Sequence, residues 1–264
     1  MITSVNNDAV KRVRALQSKR RAREQEGVFV IEGQRLAQEA IHAQAPVDAV
    51  YTVEAFADSP DGAALIVGLG ALGATVTAVT PQVMAAMSDT ETPPGILAVL
   101  PFVEWALPER LSSLLIIDGL STPGNLGAVL RTAAATGVEA VALAPGTVDP
   151  FNPKVVRGAM GAHFRLPIIR PSWDAIHQIA ENMAVLLADS RGDVAYDAVD
   201  WRQSVALILG GEARGASAEA IGLADARVTI PMQRRVESLN VAVAAGVLLF
   251  EMARQRKQQA ESPI

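Results

Sequence analysis

Three polar segments that follow predicted strands carry residues able to bind a polar ligand. The first is Asp118–Gly127 (DGLSTPGNLG), and the second is Leu207–Gly215 (LILGGEARG). The third consists of Ile230-Pro231-Met232 followed by Glu237-Ser238-Leu239-Asn240, ahead of a long apolar helix. A turn between a buried strand and a helix leaves unpaired N–H groups that attract anionic or polar groups. Such turns lie beyond the carboxyl ends of parallel strands, where ligands bind.

Neither of two common nucleotide-binding fingerprints is present in these turns. The first segment has no Gly-Lys-Ser/Thr ending, and the spacing of Gly124 and Gly127 does not reproduce Gly-x-Gly-x-x-Gly. Each polar residue also has a purely structural interpretation. Asn125 and Ser238 could cap helices, Glu212 could stabilise a helix by lying near its N-terminus, and Arg131 could be an ordinary surface arginine.

Composition limits the class of protein. The chain has 264 residues and no cysteine, so a disulfide framework and thiolate metal sites are excluded. Its three histidines are scattered, and we expect no bound metal. Residues 1–8 lack the apolar core of a signal peptide, and glycine and proline interrupt the uncharged residues 62–88 before they reach the length of a membrane span. We expect a soluble, cytoplasmic protein.

Charge is strongly segregated along the chain although the formal net charge is −5. Residues 9–23 contain no acidic residue, whereas residues 36–109 contain no lysine or arginine. The basic region is therefore a candidate for RNA phosphate contacts, and the alternative is a solvated amphipathic helix packed on Val10, Val13 and Leu16. Its basic residues are Lys11, Arg12, Arg14, Lys19, Arg20, Arg21 and Arg23.

Alternating strand and helix patterns predict two α/β domains. We expect a domain over residues 1–103, a linker over 104–110 bracketed by prolines, and a second domain over 111–264 with a parallel sheet covered on both faces. The predicted strands are Val28–Ile31, Val47–Val53, Thr75–Val79 and Gly95–Pro101, then Leu114–Asp118, Val138–Ala144, Arg165–Ile169, Val185–Asp189, Val205–Gly210 and Ala226–Ile230.

Taken together, the three segments resemble the SpoU/TrmH family of RNA ribose 2′-O-methyltransferases, within the SPOUT class. The resemblance covers essentially the whole chain, and Ser-Leu-Asn-Val after Ile-Pro-Met is its most specific signature. Ala213 departs from the family pattern, which has glycine there. The resemblance implies an α/β fold with a C-terminal deep trefoil knot, a ribosomal-protein-like first domain that binds the RNA substrate, and a homodimer with active sites at the subunit interface.

The resemblance also implies the reaction and the residues that carry it. The expected reaction is attack of a ribose 2′-oxygen on the methyl group of S-adenosyl-L-methionine, without a metal. Arg131 matches the motif arginine that lies at the ribose hydroxyl. Because a charged guanidinium has no acceptor, we expect Arg131 to orient the target phosphate and hydroxyl and to assist proton removal only in the bound complex. The implied catalytic residues are Asn125, Arg131, Glu212, Ser238 and Asn240, and the implied cofactor-binding residues are Gly210, Gly211, Ile230, Met232 and Leu239.

Several alternatives stay open at this point. By analogy with two-domain family members, 23S ribosomal RNA is the first expected substrate, and transfer RNA is the second. Housekeeping modification and antibiotic resistance are both compatible with the sequence. A dehydrogenase would need a dinucleotide fingerprint with an acidic residue about 20 positions later, which the chain lacks. A non-catalytic RNA-binding protein would not need Arg131, Glu212 and Asn240 together.

Overall fold

A computed structural model describes residues 1–212, 215–234 and 237–261 of the protein. Contacts divide the chain into two compact units: Met1–Glu104 with Phe151–Arg165, and Trp105–Pro150 with Leu166–Ile264. The sequence pattern alone had grouped residues 151–165 with the second domain. Among the described helices, none combines the length and the apolar character needed to cross a membrane.

The elements follow one another in an α/β order. Up to Pro101 they are α1 (Asp8–Ser18), α2 (Arg20–Glu26), β1 (Val28–Glu32), α3 (Gln34–His42), β2 (Ala49–Thr52), α4 (Glu54–Ala57), α5 (Pro60–Ala71), β3 (Thr75–Ala78), α6 (Pro81–Met87) and β4 (Ile96–Pro101). From Ser113 they are β5 (Ser113–Asp118), α7 (Pro123–Thr136), β6 (Ala140–Leu143), α8 (Pro153–Ala159), β7 (Ile168–Ile169), α9 (Trp173–Ala180), β8 (Ala184–Ala188), β9 (Val194–Ala195), β10 (Val205–Gly210), α10 (Ala218–Leu223), β11 (Ala226–Thr229) and α11 (Val241–Glu261).

Short local signals explain where several helices begin. Ser59 and Thr80 precede α5 and α6, and their hydroxyls accept hydrogen bonds from the N–H groups of Gly62 and Val83. Each of these helices has proline at its first position, where the missing N–H costs nothing and the fixed φ suits a helix. Proline also begins α7, which starts at Pro123.

The first unit is built on a four-stranded sheet in the order β1-β4-β2-β3. β4 pairs antiparallel with both neighbours, and β2 pairs parallel with β3. One face packs on α3 and α5 through Phe29, Leu36 and Leu69, and the later segment adds Val156 and Phe164 to the same core. The other face packs on α1 and α6; its core contains Val10, Val13, Leu16, Val28, Val30, Val83 and Met84. Residues 151–165 therefore belong to this hydrophobic core.

The predicted basic helix is two helices in the structure. α1 ends at Ser18, and Lys19 adopts an extended conformation before α2 begins. Arg23 is only 3% exposed, and its guanidinium donates hydrogen bonds to the carbonyl oxygens of Leu16 and Gln17 at 2.5 and 3.3 Å. It thereby satisfies carbonyl groups at the end of α1 that have no partner within the helix.

The second unit contains a seven-stranded, fully parallel sheet in the order β7-β6-β5-β10-β8-β11-β9. One face packs on α9 and α10 through a core that includes Leu114, Ile116, Ala206, Ile208 and Leu187. Alternate residues point to the opposite face, where α7 and α11 pack against each other and α11 contacts β10. Burial on both faces explains the continuous apolar strands, and it confirms the predicted α/β class with a parallel sheet.

Candidate active site

The site is built at the carboxyl ends of two neighbouring central strands. β5 and β10 are paired so that Asp118 lies opposite Gly210, and both strands end at the same level. The Asp118 side chain is buried and accepts a hydrogen bond from the Ser217 N–H at 2.6 Å. This bond ties the start of α10 to the end of β5 and holds the two turns together.

Close backbone approach explains the paired glycines of the second segment. A Cβ on Gly211 would lie 2.6 Å from the Gly119 carbonyl oxygen, and one on Gly210 would lie 2.8 Å from the Ala216 nitrogen. Beyond them, the N–H and C=O groups of Gly211 and Gly215 exchange two backbone hydrogen bonds. These contacts close the turn that carries Glu212. Ala213, which departs from the family pattern, lies outside the described residues.

Glu212 is the first member of a hydrogen-bonded chain of side chains. Its Oε2 accepts from the Thr122 hydroxyl at 2.9 Å, and its Oε1 accepts from the Asn125 amide. Asn125 Oδ1 accepts from Asn240 Nδ2 at 3.2 Å, and Asn240 Oδ1 accepts from the Ala242 N–H at 2.9 Å. Segments separated by 87 and 115 positions in the sequence are thus joined in one polar cluster.

The ends of this chain determine the orientation of both amides. A carboxylate oxygen can only accept, and a backbone N–H can only donate. Asn125 must therefore present its NH₂ to Glu212 and its oxygen to Asn240. Asn240 in turn presents its NH₂ to Asn125 and its oxygen to the first turn of α11. Asn125 lies inside the first turn of α7, so it is not the helix cap that was its structural alternative.

A cavity of about 890 Å³ opens beside the cluster. Its volume lies in the range typical of small-molecule sites. All five predicted cofactor-binding residues line it, as do three of the predicted catalytic residues. The former are Gly210, Gly211, Ile230, Met232 and Leu239, and the latter are Glu212, Ser238 and Asn240. Asn125 reaches the wall through its bonds to Glu212 and Asn240.

The part of the wall that follows β8 was not predicted from the sequence. Asp189, Ser190 and Arg191 line the cavity, together with Arg227 from β11. Asp189 Oδ2 lies 3.3 Å from the Arg227 guanidinium, and Asp189 Oδ1 accepts from the Arg191 N–H at 2.9 Å. The strand ending near Asp189 was predicted, but its pairing beside β10 depends on the strand order. Once the strand order is known, Asp189, Ser190 and Arg191 can be identified as candidate ligand contacts, because ligands bind beyond the carboxyl ends of parallel strands.

Arg131 is not brought into the cavity. It is exposed on α7, six positions beyond Asn125, and it has no hydrogen bond or ion pair with any residue of the described ranges. Six positions on a helix correspond to about 240° of rotation, so the two side chains leave α7 in different directions. The guanidinium is accessible to a partner that comes from outside this chain.

The predicted phosphate-contacting residues differ in their surroundings. Arg14, Lys19 and Arg21 are exposed and have no ion pair with a described residue. Lys11, Arg12 and Arg20 pair with Asp8, Glu26 and Glu24 at 3.0, 2.6 and 2.8 Å. Arg23 is buried against the end of α1, so the inference that it contacts phosphate was wrong. Across the described residues, no group of three acidic or histidine side chains could hold a metal ion.

Comparison with protein families gives a match across both parts of the chain. The SpoU rRNA methylase family model matches residues 112–250, which is more than half of the chain and includes the whole polar cluster. The chain belongs to the SpoU rRNA methylase family. The MRM3-like substrate binding domain matches residues 7–98, which contain α1 to α6. The family resemblance predicted from the three segments is thereby confirmed.

Curated relatives match this chain along nearly its full length. It is 33% identical over 258 residues to the 23S rRNA (guanosine(2553)-2′-O)-methyltransferase RlmP of Bacillus subtilis, covering 95% of this chain and 98% of that protein. It is 31% identical to the human mitochondrial rRNA methyltransferase 3, covering 90% of this chain and 70% of that protein.

Solved structures of SpoU-type enzymes have the same fold. AviRb from Streptomyces viridochromogenes, in complex with AdoMet, superposes with a TM-score of 0.87 at 28% identity and covers 96% of this chain and 99% of its own. The AdoMet-bound rRNA methyltransferase from Sinorhizobium meliloti has a TM-score of 0.85 at 28% identity, covering 96% and 97% of the two chains. This similarity confirms the predicted fold class.

Proposed function

We propose that the protein is an S-adenosyl-L-methionine-dependent RNA methyltransferase that modifies a ribose 2′-oxygen, with 23S ribosomal RNA as its substrate. The observation that carries the proposal is the position of the cavity. Its wall contains all five expected cofactor-binding residues and lies directly beside the Glu212–Asn125–Asn240 cluster. The names of the RlmP relative and of the AdoMet-bound structures support the same substrate and cofactor.

The lining of the cavity fits an adenosine-containing cofactor. Ile230, Met232 and Leu239 supply apolar surface for a purine ring, and Leu239 is 37% exposed. The backbone of Gly210 and Gly211 borders the same space, and the close approach of neighbouring backbone excludes a Cβ at either position. Apolar walls with a few fixed polar groups are typical of cofactor sites.

The side chains of this protein act by position rather than by covalent chemistry. When bound, S-adenosyl-L-methionine supplies a methyl group on a sulfonium that is already a good leaving group. Glu212, Asn125 and Asn240 fix one another before RNA arrives, so their polar groups need little reorganisation during the reaction. Ser238 adds a hydroxyl to the same wall. We assign Arg131 the role of orienting the target phosphate and the 2′-hydroxyl, because its guanidinium donates five N–H groups and accepts none.

The exposed position of Arg131 supports a homodimer whose active site is completed at the subunit interface. α11 presents Val243 and Phe250 to solvent at 53% and 59% exposure. These residues are seven positions apart and share one face of the helix. We propose that this face pairs with a second copy. Phe250→Asp should convert the dimer to a monomer in analytical ultracentrifugation, and an unchanged sedimentation coefficient would contradict the assignment.

We propose that the first unit binds the RNA through Arg14, Lys19 and Arg21. Residues 36–109 carry no basic side chain, so within residues 1–109 the basic side chains are concentrated before residue 36, mostly in α1 and α2. Phosphate contacts of this kind position RNA without reading its sequence. We assign substrate binding to residues 1–103 and catalysis to residues 111–264. We also propose that the protein works in the cytoplasm, as expected for a substrate like that of the Bacillus subtilis relative RlmP.

A deep trefoil knot in the second unit is part of the same proposal. β10 lies between β5 and β8, and β11 lies between β8 and β9. The chain therefore returns late into the middle of a sheet whose flanking strands come earlier in the sequence. Family membership and this late insertion of strands support the knot.

Calorimetry and a substrate comparison test the proposed function. The purified protein should bind S-adenosyl-L-methionine, and it should methylate undermodified 23S rRNA in preference to undermodified transfer RNA. Preference for transfer RNA would replace the substrate assignment with the transfer RNA alternative. Binding of undermodified rRNA without any affinity for the cofactor would indicate a non-catalytic RNA-binding protein.

A further inference from the structure

We propose that Thr122 is a positioning residue that holds the Glu212 carboxylate in the orientation required by Asn125. The inference deepens the proposed function, and its kinetic consequences rest on that function. The hydroxyl of Thr122 donates to Glu212 Oε2 at 2.9 Å, across 90 positions of sequence. Thr122 also lines the cavity.

The position of Thr122 makes this bond unusual. It is the N-cap residue of α7, where a threonine hydroxyl normally accepts a hydrogen bond from an N–H group in the first helical turn. No such bond forms here, whereas Ser59, Thr80, Ser172 and Ser217 cap four other helices in that way. The Thr122 hydroxyl is therefore turned away from its own helix and toward Glu212.

The two oxygens of Glu212 are held from two points of the same helix start. Thr122 holds Oε2, and Asn125 holds Oε1. Within the described ranges the carboxylate has no other hydrogen-bond donor. Glu212 is exposed, so loss of the Thr122 bond would leave one contact and allow the carboxylate to rotate. Asn125 would then lose the fixed acceptor that determines the orientation of its amide and, through it, that of Asn240.

Two substitutions at this position separate positioning from capping. Thr122→Val keeps the shape of the side chain and removes the hydroxyl, whereas Thr122→Ser keeps the hydroxyl. Thr132→Val on the same helix is the matched control, because among the described residues the Thr132 hydroxyl bonds only to the Ala128 carbonyl oxygen, at 2.9 Å. All three variants are compared with the wild-type protein in thermal unfolding, cofactor calorimetry and single-turnover methyl transfer.

Thr122→Val should slow single-turnover methyl transfer about tenfold, because it removes one hydrogen bond to a charged group. Its melting temperature should stay within a few degrees of the wild-type value, because the hydroxyl caps no helix and its bond to Glu212 is exposed. Its cofactor Kd should not change. Thr122→Ser should restore the rate, and Thr132→Val should not slow transfer. A lower melting temperature with an unchanged rate would show that Thr122 only caps α7 and would overturn the proposal, as would a Thr122→Ser rate as low as that of Thr122→Val.

A readout that does not depend on activity keeps this inference distinct from the proposed function. The side-chain amide resonances of Asn125 and Asn240, identified with Asn→Asp variants, should shift or broaden in Thr122→Val but not in Thr132→Val. Unchanged amide resonances in Thr122→Val would overturn the proposal. If wild-type protein transferred no methyl group to RNA, the proposed function would fail, and the amide resonances would still decide whether Thr122 positions Glu212.

Discussion

Replacing Gly211 by alanine should force apart the two strand ends that build the cavity. The new Cβ would lie 2.6 Å from the Gly119 carbonyl oxygen, 3.1 Å from its carbonyl carbon and 3.4 Å from the Asp118 carbonyl oxygen. These neighbours are all backbone atoms, and side-chain Cβ atoms essentially never approach closer than 3.0 Å. The turn after β5 or the turn after β10 must therefore move by at least about 0.4 Å.

Neither turn moves readily. Asp118 is bonded to the Ser217 N–H, and the Gly119 N–H donates to the Thr147 hydroxyl at 3.1 Å. Overpacking of this kind costs about 1–3 kcal/mol. For a chain of this size, about 2 kcal/mol lowers the melting temperature by roughly 4–8 °C. Because Gly211 lines the cavity and precedes Glu212, the cofactor Kd should rise by about tenfold, which corresponds to about 1.4 kcal/mol.

Gly222→Ala is the matched control for this prediction. Gly222 lies in α10, and a Cβ there would meet no described atom within 4 Å apart from its chain neighbours and the backbone of its own helix. Alanine is favoured over glycine in a helix by up to about 1 kcal/mol, so this variant should be as stable as the wild-type protein or slightly more stable. Differential scanning calorimetry and cofactor titration measure both quantities. A Gly211→Ala protein with wild-type melting temperature and wild-type Kd would refute the close approach of the two turns.

Three other predictions concern catalysis, RNA affinity and acid stability. Arg131→Ala should abolish methyl transfer and leave calorimetric cofactor binding within about twofold of wild type, since Arg131 lies outside the cavity; parallel loss of cofactor affinity would contradict this role. Combined substitution of Arg14, Lys19 and Arg21 should weaken RNA binding and lower the slope of log K against log salt by the amount expected for about three phosphate contacts. Arg12→Ala should have a smaller effect because Arg12 is paired with Glu26. A salt slope equal to that of the wild-type protein would remove Arg14, Lys19 and Arg21 from the interface. Hydrogen bonds from Arg254 lower the pKa of Glu251 to about 2, although partial burial opposes the shift. Because the pKa of Glu251 is depressed in the folded state, the ionised side chain should stabilise the protein at neutral pH. The wild-type protein should therefore be more stable than Glu251→Gln at neutral pH, and this difference should fade as pH falls from about 4.5 to about 2. A difference in urea-unfolding free energy that does not change with pH would exclude the contribution of the Glu251 carboxylate.

Local sequence signals were sufficient for most of the secondary structure. Val205–Gly210 has the predicted boundaries, because an apolar run that ends in glycine is decided by nearby residues. The short helix Pro153–Ala159 was missed. This helix is buried in the core of the first unit, where Val156 packs in the same core as residues of β1 that are distant in sequence. Because the helix depends on such tertiary contacts, its own sequence shows little local periodicity.

The site could be predicted to the level of residues but not of contacts. Gly210, Glu212 and Asn240 could be assigned to the site because their segments resemble the SpoU/TrmH motifs. The bond from Thr122 to Glu212 could not be predicted, because an N-cap threonine looks like a helix cap in any sequence. The burial of Arg23 was equally hidden, since its partners are carbonyl groups exposed only where α1 breaks. In both cases the decisive partner is defined by the tertiary fold.

The position of the transferred methyl group tests the central proposal most directly. The purified protein is incubated with tritiated S-adenosyl-L-methionine and undermodified 23S rRNA, and the RNA is then hydrolysed in alkali. A 2′-O-methyl group blocks cleavage at its own nucleotide, because alkaline hydrolysis requires the 2′-hydroxyl. We predict that the label is recovered in alkali-resistant dinucleotides and that Arg131→Ala yields none. Label recovered in mononucleotides would mean that a base is methylated and would contradict the assignment of the ribose 2′-oxygen.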